Sequence, residues 1–222
     1  MERFEDYHGV SPEKFIAYLV RQASCTQQKL IEACKGVCVV ALRSEQVDTP
    51  GALPGEPFTE GDLDREALQK LGVLQPLILL LSPKLAHGEP VRTEALICLN
   101  IMCKTCTIKA LVVQMELLDR LKPILEDPPT DRLLYNLMQL IATLAAMDEN
   151  QAIMAKRKFV PHVLKQVPHK DNEIRYEVAR ALANLGCHAS NQTGIAKVDG
   201  IKSILGMTQA ATEDTYIGLH ID

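Results

Sequence analysis

The amino-acid sequence predicts an all-α protein made of stacked helical repeats. Four segments of similar sequence recur along the chain and align on Leu74, Leu118, Val160 and Ile201, at spacings of 44, 42 and 41 residues. A period in this range is typical of helical units that cannot bury their apolar faces alone and therefore pack on their neighbours. Such an array is expected to form a curved surface that holds another molecule. It is not expected to form a closed pocket for catalysis.

The composition indicates a folded protein whose core consists of aliphatic side chains. Of the 222 residues, 47% are hydrophobic and 23% are charged, whereas aromatic residues make up 4% and Trp is absent. The net charge of −4 predicts no nucleic-acid partner, because nucleic-acid binding requires a basic surface that displaces counterions from phosphates. No stretch reaches the roughly 20 apolar residues that cross a bilayer, so we expect no membrane insertion.

The N-terminal residues and the cysteines predict a cytoplasmic protein. The first residues are acidic, and they lack the apolar run of a secretion signal. The seven cysteines are an odd number scattered through apolar helical segments, as expected for reduced, buried thiols. We expect the cytoplasm, with a cytoskeletal or ciliary assembly as a more specific location and the nucleus as the less favoured one.

Helical periodicity divides the chain into a short first segment, a repeat array and a tail. Residues 1–10 precede the array, which covers 11–209, and an acidic tail follows at 210–222. The array starts at Ser11-Pro12, because Ser accepts a first-turn hydrogen bond and Pro needs no donor there. An acidic insertion rich in Pro and Gly interrupts it at 44–64 and is either a functional or a mobile loop. Each unit contains a short, a medium and a longer helix. The best-defined examples are 107–113, 116–125 and 130–146, then 150–156, 159–167 and 173–187.

The helix lengths and several motifs resemble the armadillo repeat. The resemblance depends on Asn191-Gln192 and Gly200-Ile201, and Asn150-Gln151 repeats the first motif. Phe159 and Leu117 stand where the family often has glycine, so the turns there must form without it. The resemblance covers residues 11–209 and implies a right-handed α-solenoid whose long third helices line a concave groove. HEAT-like repeats, which lack the short first helix, are the alternative for the part before residue 130.

The resemblance also implies which residues face the groove. In the nuclear-import adaptors of this family, third helices carry Trp and Asn four residues apart, and these residues bind a basic peptide. Only Asn184 is retained at the matching positions here, which disfavours this type of recognition. Tyr135 and Tyr176 lie one turn earlier, where tyrosine is either an interface anchor or part of ordinary helix packing. The candidate protein-binding positions are Thr93, Ile97, Ile101, Tyr135, Gln139, Thr143, Tyr176, Arg180 and Asn184.

Two further features have both a structural and a functional interpretation. Lys156, Arg157 and Lys158, named here the basic edge, form either a solvated turn or a contact for an acidic partner. Cys103 and Cys106 have the spacing of a redox dithiol or of half a zinc site, but no His lies close in sequence, which favours incidental thiols. No catalytic or phosphate-binding motif appears. We therefore expect no cofactor, no metal, no small-molecule substrate and no enzymatic activity.

These observations predict a non-catalytic scaffold for protein–protein interactions. The first hypothesis is a structural subunit of a multi-subunit complex, docked in a cytoplasmic or cytoskeletal assembly such as a ciliary axoneme. The second is a peptide-binding cargo adaptor of the nuclear-import type, and the third is a thiol or zinc site at Cys103 and Cys106. Both ends of the array lack part of a repeat unit, so we expect a partner or the tail to cover the apolar surface there.

Overall fold

The computed structural model describes residues 10–42, 60–82, 88–128 and 130–197, apart from the side chains of residues 60, 61 and 197. The elements in these ranges are helices, as the sequence predicts. Their contacts divide the chain into two units, Met1–Leu121 and Lys122–Asp222. None of the helices in the described ranges is both long and apolar enough to span a membrane.

The described ranges contain twelve α-helices and one short 3-10 helix, Gln22–Ser24. The α-helices are α1 (Pro12–Val20), α2 (Gln27–Ala41), α3 (Glu60–Lys70), α4 (Leu74–Leu80), α5 (Glu89–Met102), α6 (Cys106–Gln114), α7 (Leu117–Glu126), α8 (Asp131–Ala145), α9 (Asp148–Lys156), α10 (Phe159–Leu164), α11 (Asn172–Gly186) and α12 (Ala189–Lys197). In chain order, α3–α5, α6–α8 and α9–α11 are three-helix repeats that each end in their longest helix. The predicted order of a short, a medium and a longer helix holds only for α6–α8, since α3 is longer than α4 and α9 is longer than α10.

In the first unit, α2 packs against both α1 and α5. Its residues from Val37 to Ala41 are buried without a break, because neighbouring helices cover more than one of its faces. Gly36 allows α1 to approach closely: a Cβ added at Gly36 would lie 2.4 Å from the Phe15 ring. The interlocked aliphatic core that the composition predicts is therefore present here.

A buried arginine also ties the helices of the first unit together. Arg65 on α3 is 2% exposed, and its Nε donates to the Thr105 hydroxyl at 2.8 Å while its Nη2 pairs with Asp62 at 3.1 Å. Thr105 in turn donates to the Asp62 carboxylate at 2.6 Å. Because a buried guanidinium requires partners for its charge and its donors, this network fixes α3 against the start of α6.

In the second unit, the long helices α8 and α11 pack side by side, and each begins at a side-chain cap. The Thr130 hydroxyl accepts from the Leu133 N–H at 3.3 Å. Asp171 accepts from Glu173 N at 2.8 Å and from Ile174 N at 3.2 Å. These bonds satisfy first-turn donors that have no partner within a helix.

The Asn-Gln motifs have a structural role in this unit. Asn150 and Gln151 donate from their amides to the carbonyls of Leu144 and Ala145 at the end of α8, at 3.1 Å and 3.0 Å. Gln192 does the same for Gly186 at the end of α11, at 2.8 Å. The motif therefore caps the long helices α8 and α11, because the last helical carbonyls otherwise have no partner. Asn191 instead donates to Gln151 O on α9 at 3.3 Å.

The turn before the second helix of each repeat contains a residue with positive φ. These residues are Gly72, Glu116 and Lys158, with φ values of 82°, 64° and 56°. The turns at 116 and 158 form without glycine, as the sequence predicts, but one residue earlier than expected. Leu117 and Phe159 are instead the first residues of helices α7 and α10, and both are fully buried.

Several predicted boundaries are corrected. Helix α3 begins at Glu60, so residues 60–64 are helical and do not belong to the insertion. Helix α10 ends at Leu164, earlier than residue 167, because Pro168 disfavours a helical conformation before it. Ser11 precedes α1, but its side chain does not accept a hydrogen bond from the helix backbone. Residues 1–9, 43–59 and 198–222 lie outside the described residues, and with them most of the insertion, Ile201, the predicted last helix and the tail.

Candidate functional site

The site is built on α8 and α11, the two long helices of the second unit. Both are amphipathic, and their apolar faces are buried in the unit, with Leu137, Ile141, Val178 and Leu182 among the buried residues. Tyr135 and Tyr176 lie on these two helices, 41 residues apart in sequence. Because the helices are rigid and held at their N-termini by Thr130 and Asp171, the side chains that they present to solvent have a defined spacing.

A cavity of about 310 Å³ lies between these side chains. It is lined by Tyr135, Asn172, Glu173, Tyr176 and Glu177, which together are named here the tyrosine cleft. Tyr135 is half-buried, whereas Tyr176 is 67% exposed and is one of the large hydrophobic residues of the described chain that face solvent. The structure therefore brings the two predicted tyrosines together at one cavity.

Two carboxylates give the tyrosine cleft a negative charge. Glu177 is 5% exposed and accepts from Arg180 Nε at 2.7 Å and from Arg180 Nη2 at 2.6 Å. Glu173 is exposed at the edge of the cleft. Burial raises the pKa of the Tyr135 phenol, and the carboxylates of Glu177 and Glu173 raise it further, whereas Arg180 lowers it. A partner's cation would therefore be favoured here over an anion.

Arg180 and Asn184 hold α11 to α8. Arg180 Nη2 donates to Gln139 O at 3.2 Å, and Asn184 Nδ2 donates to Ala142 O at 2.9 Å. Both donors thus bond to backbone carbonyls of α8, the preceding long helix. The side chains of Gln139 and Thr143, two further candidate positions on α8, are half-buried. One of the two N–H groups of the Asn184 amide, the side chain that the resemblance assigns to a ligand backbone, therefore has its partner within the protein.

Sequence reasoning missed three residues of the cleft: Asn172, Glu173 and Glu177. Asn172 and Glu173 could have been predicted from the sequence, because they lie four and three residues before Tyr176 and therefore on the same face of the helix. Glu177 follows it directly and could be placed only once the packing of α8 against α11 was known. Asn172 also accepts a hydrogen bond from Arg175, which holds it in place.

The remaining groove candidates are on α5, in the first unit. Ile97 and Ile101 are half-buried. Thr93 is 2% exposed, and its hydroxyl donates to Glu89 O at 3.1 Å within the same helix. Thr93 therefore has almost no surface for a partner, and we leave it out of the candidate surface.

The basic edge forms the turn between α9 and α10. Lys156 and Lys158 are exposed, whereas Arg157 is half-buried. Lys158 has a left-handed backbone conformation with φ 56°. This conformation turns the chain into α10, so the segment has a structural role whether or not a partner binds to it.

The two thiols of the Cys103–Cys106 pair lie in different environments. Cys103 is fully buried and Cys106 is exposed. Burial raises the pKa of the Cys103 thiol to about 12, which opposes formation of the thiolate that redox exchange and zinc binding both require. Across the described residues, no group of three or more His, Cys, Asp or Glu side chains has an arrangement that could hold a metal ion.

Comparison with known proteins identifies the fold. No protein-family model and no curated protein matches the chain. One similar structure is a designed armadillo repeat protein, solved in complex with the peptide (KR)4, which is 16% identical to this chain. The match covers 90% of this chain and 80% of the designed protein, with a TM-score of 0.70. A structure of computationally designed armadillo repeat proteins for modular peptide recognition is also 16% identical. The match covers 89% of this chain and 81% of the designed chain, with a TM-score of 0.68.

An engineered protein gives a similar result, with 19% identity and a TM-score of 0.71. The match covers 93% of this chain and 80% of the engineered protein. At such low identity the likeness identifies the fold and leaves the ligand open. The short first helices α6 and α9 are present, as three-helix repeats require and as HEAT-like repeats lack. The chain therefore has the all-α solenoid fold of the armadillo repeat.

Proposed function

We propose that the chain is a non-catalytic scaffold that binds another protein through the tyrosine cleft. The observation that supports this proposal is the position of Tyr176, a large aromatic side chain that is 67% exposed and borders a cavity shared with Tyr135. Exposure of such a ring is unfavourable in water, whereas burial against a partner gains both apolar contact and a hydrogen bond through the phenol. Tyrosine is accordingly enriched among residues that dominate binding energy.

The partner that fits the tyrosine cleft presents a lysine or arginine side chain. The two aromatic rings can contact a cation through their faces, and Glu173 and Glu177 supply opposite charge. Arg180 already pairs with Glu177, so Glu173 is the carboxylate that a partner's cation would contact. The peptide (KR)4, solved with a designed protein of the same fold, has this chemistry.

Binding of a labelled (KR)4 peptide to the full chain tests the proposal. We expect fluorescence anisotropy to detect binding that Tyr176→Ala or Tyr135→Ala weakens about tenfold or more. Glu173→Gln should weaken binding and reduce its salt dependence. Tyr18→Ala on α1 is the matched aromatic control, and Glu149→Gln, an exposed glutamate on α9, is the matched charge control. Absence of binding, or equal affinity in all five variants, would refute the proposal.

Within this function, we favour a structural subunit of a multi-subunit assembly in the cytoplasm. The cytoskeleton, and a ciliary axoneme in particular, is the proposed setting. A cargo adaptor of the nuclear-import type is the second candidate. It is less favoured because Trp is absent and because one N–H of the Asn184 amide donates to Ala142 O at 2.9 Å, which leaves a single N–H for a peptide backbone.

Salt resistance separates the two candidates. A structural subunit should copurify with the same set of proteins in low salt and in about 0.5 M salt. Salt weakens the contact of a partner's cation with Glu173, but the apolar contacts of Tyr176 and of the rest of a large interface are little screened. An adaptor that holds a basic cargo should lose it under the same conditions. A tagged chain that distributes with the nucleus and sheds all its partners in high salt would contradict the proposed structural role.

A further inference from the structure

Three cysteines of the first unit meet in its core, where α2 packs against α5. Cys34 and Cys38 lie one turn apart on α2, and Cys98 lies on α5. The sulfur atoms of Cys38 and Cys98 are 2.9 Å apart, and Cys98 Sγ is 2.8 Å from the Cys34 carbonyl oxygen. The four-residue spacing of Cys34 and Cys38 is that of two small apolar side chains on one buried face of α2. That spacing does not account for a third thiol, Cys98, packed against the same face.

From this geometry we infer that Cys38 and Cys98 are an oxidation-dependent crosslinking site, at which a peroxide joins α2 to α5 through a disulfide bond. A disulfide has a sulfur–sulfur bond of about 2.05 Å, so the two atoms must approach each other by about 0.9 Å. Cys103 and Cys106 follow Cys98 by five and eight residues, at the C-cap of α5 and the first position of α6.

The exposed fractions of the two side chains indicate the order of the reaction. Cys38 is 8% exposed and Cys98 is 1% exposed, so the oxidant reaches Cys38 first. The Cys38 sulfur attacks one peroxide oxygen, the O–O bond breaks, a sulfenic acid forms and one water leaves. The Cys98 sulfur then attacks the Cys38 sulfur, the S–O bond breaks, and the released hydroxide takes the Cys98 proton as a second water. The two thiols supply the two electrons that reduce hydrogen peroxide.

The environment of Cys98 makes this crosslink slow to form. Burial raises the pKa of the Cys98 thiol, and its hydrogen bonds with Cys34 and Cys38 raise it further. Burial therefore opposes the thiolate at Cys98 as it does at Cys103. Cys98 differs because Cys38 Sγ lies 2.9 Å away, so a sulfenic acid at Cys38 forms beside its resolving thiol. The crosslink would close a ring of chain from residue 38 to residue 98, which contains α3, α4 and the acidic insertion.

A disulfide of this kind should stabilise the oxidised protein, because it restricts the unfolded chain. We expect hydrogen peroxide to raise the midpoint of thermal unfolding by on the order of 5 °C, and dithiothreitol to reverse the change. The increase should be absent in Cys38→Ala and retained in Cys34→Ala and Cys103→Ala. Cys103 is the matched control, since it is also a fully buried thiol.

Peptide mapping of the full-length protein tests the inference without relying on any variant. After treatment with hydrogen peroxide and alkylation, a non-reduced digest should contain a peptide in which Cys38 is joined to Cys98. The intact mass should fall by two hydrogen atoms. If Cys38 and Cys98 are recovered as alkylated thiols while the exposed Cys106 and Cys187 are oxidised, the inference is wrong. A Cys34–Cys98 crosslink in place of Cys38–Cys98 would also overturn it.

Discussion

Asn184 Nδ2 donates a hydrogen bond to Ala142 O at 2.9 Å, and the two residues are 42 positions apart. An interval shorter by one residue separates two other hydrogen-bonded pairs of the second unit. Arg180 bonds to Gln139 at a separation of 41, and Gln166 bonds to Leu125 at 41. All three bonds join the repeat α9–α11 to the repeat α6–α8, because stacking places residues about one repeat period apart next to each other.

Asn184→Asp tests the contribution of the bond to Ala142. The change keeps the size of the side chain but removes the donor, so we expect the free energy of unfolding to fall by about 1 kcal/mol. Urea denaturation measures the effect. Gln114→Glu makes the same chemical change at an exposed position of α6 and should alter stability by less than about 0.5 kcal/mol. Equal effects of the two substitutions would contradict the assignment.

Gly36→Ala tests the close approach of α1 to α2. The added Cβ would lie 2.4 Å from the Phe15 ring, so the ring must move, and we expect a loss of about 1–3 kcal/mol in urea denaturation. Gly194→Ala on α12 is the control, since its Cβ would meet Val160 at an ordinary 3.8 Å. That substitution should raise stability by up to about 1 kcal/mol through helix propensity. A stabilising Gly36→Ala would show that the two helices are farther apart than described.

Gly72→Ala and Lys158→Gly test the left-handed turns in opposite directions. Nothing lies within 4 Å of a Cβ added at Gly72, so any cost comes from its φ of 82°. We expect a loss of about 1 kcal/mol for Gly72→Ala. Lys158→Gly relieves the same strain and should be neutral or stabilising by less than about 1 kcal/mol. Thermal unfolding monitored by circular dichroism measures both, and a stabilising Gly72→Ala would disprove the turn assignment.

Thr105→Val tests the buried network of the first unit. The substitution removes the hydroxyl that binds both Arg65 and Asp62, and we expect it to cost about 1–3 kcal/mol. Thr107→Val is a matched control two residues away, because the Thr107 hydroxyl makes only an exposed contact of 3.5 Å with Glu66. Denaturation curves of the two variants should differ clearly. Identical curves would mean that the network adds nothing to stability.

Charge reversal tests whether the basic edge binds an acidic partner. If it does, Lys156→Glu combined with Lys158→Glu should weaken binding of a glutamate-rich peptide, and the difference from wild type should shrink in high salt. Lys165→Glu combined with Lys170→Glu reverses two other exposed charges of the same unit and is the control. If both double variants bind the peptide as wild type does, the basic edge is a solvated turn.

The helices and their order could be predicted because apolar periodicity and the repeat interval are local properties of the sequence. The Thr130 and Asp171 caps lie next to the helices that they start, so α8 and α11 begin within one residue of the predicted positions. The end of α10 was missed because the effect of Pro168 on the preceding turn was given too little weight. The turns before α7 and α10 were placed one position late because no glycine marks the residue with positive φ, which is Glu116 in one turn and Lys158 in the other.

The candidate site was predicted only in part. Tyr135 and Tyr176 could be found because they lie one repeat apart on equivalent helices. The hydrogen bonds of Arg180 and Asn184 to α8 could not be found, since a side chain on a helix surface can bond either to a ligand or to the neighbouring helix. The position of Cys98 against Cys38 was missed for a related reason: it depends on how α2 crosses α5, and no local pattern in the sequence specifies that crossing.

Photocrosslinking from position 176 tests the proposed binding surface most directly. A benzophenone amino acid in place of Tyr176 should form a covalent adduct with a partner protein in cells, and the adduct should map to a segment that contains Lys or Arg. The same probe in place of Tyr18 should form no such adduct. Adducts of equal yield from both positions, or from position 18 alone, would contradict the assignment of the tyrosine cleft as the partner-binding site.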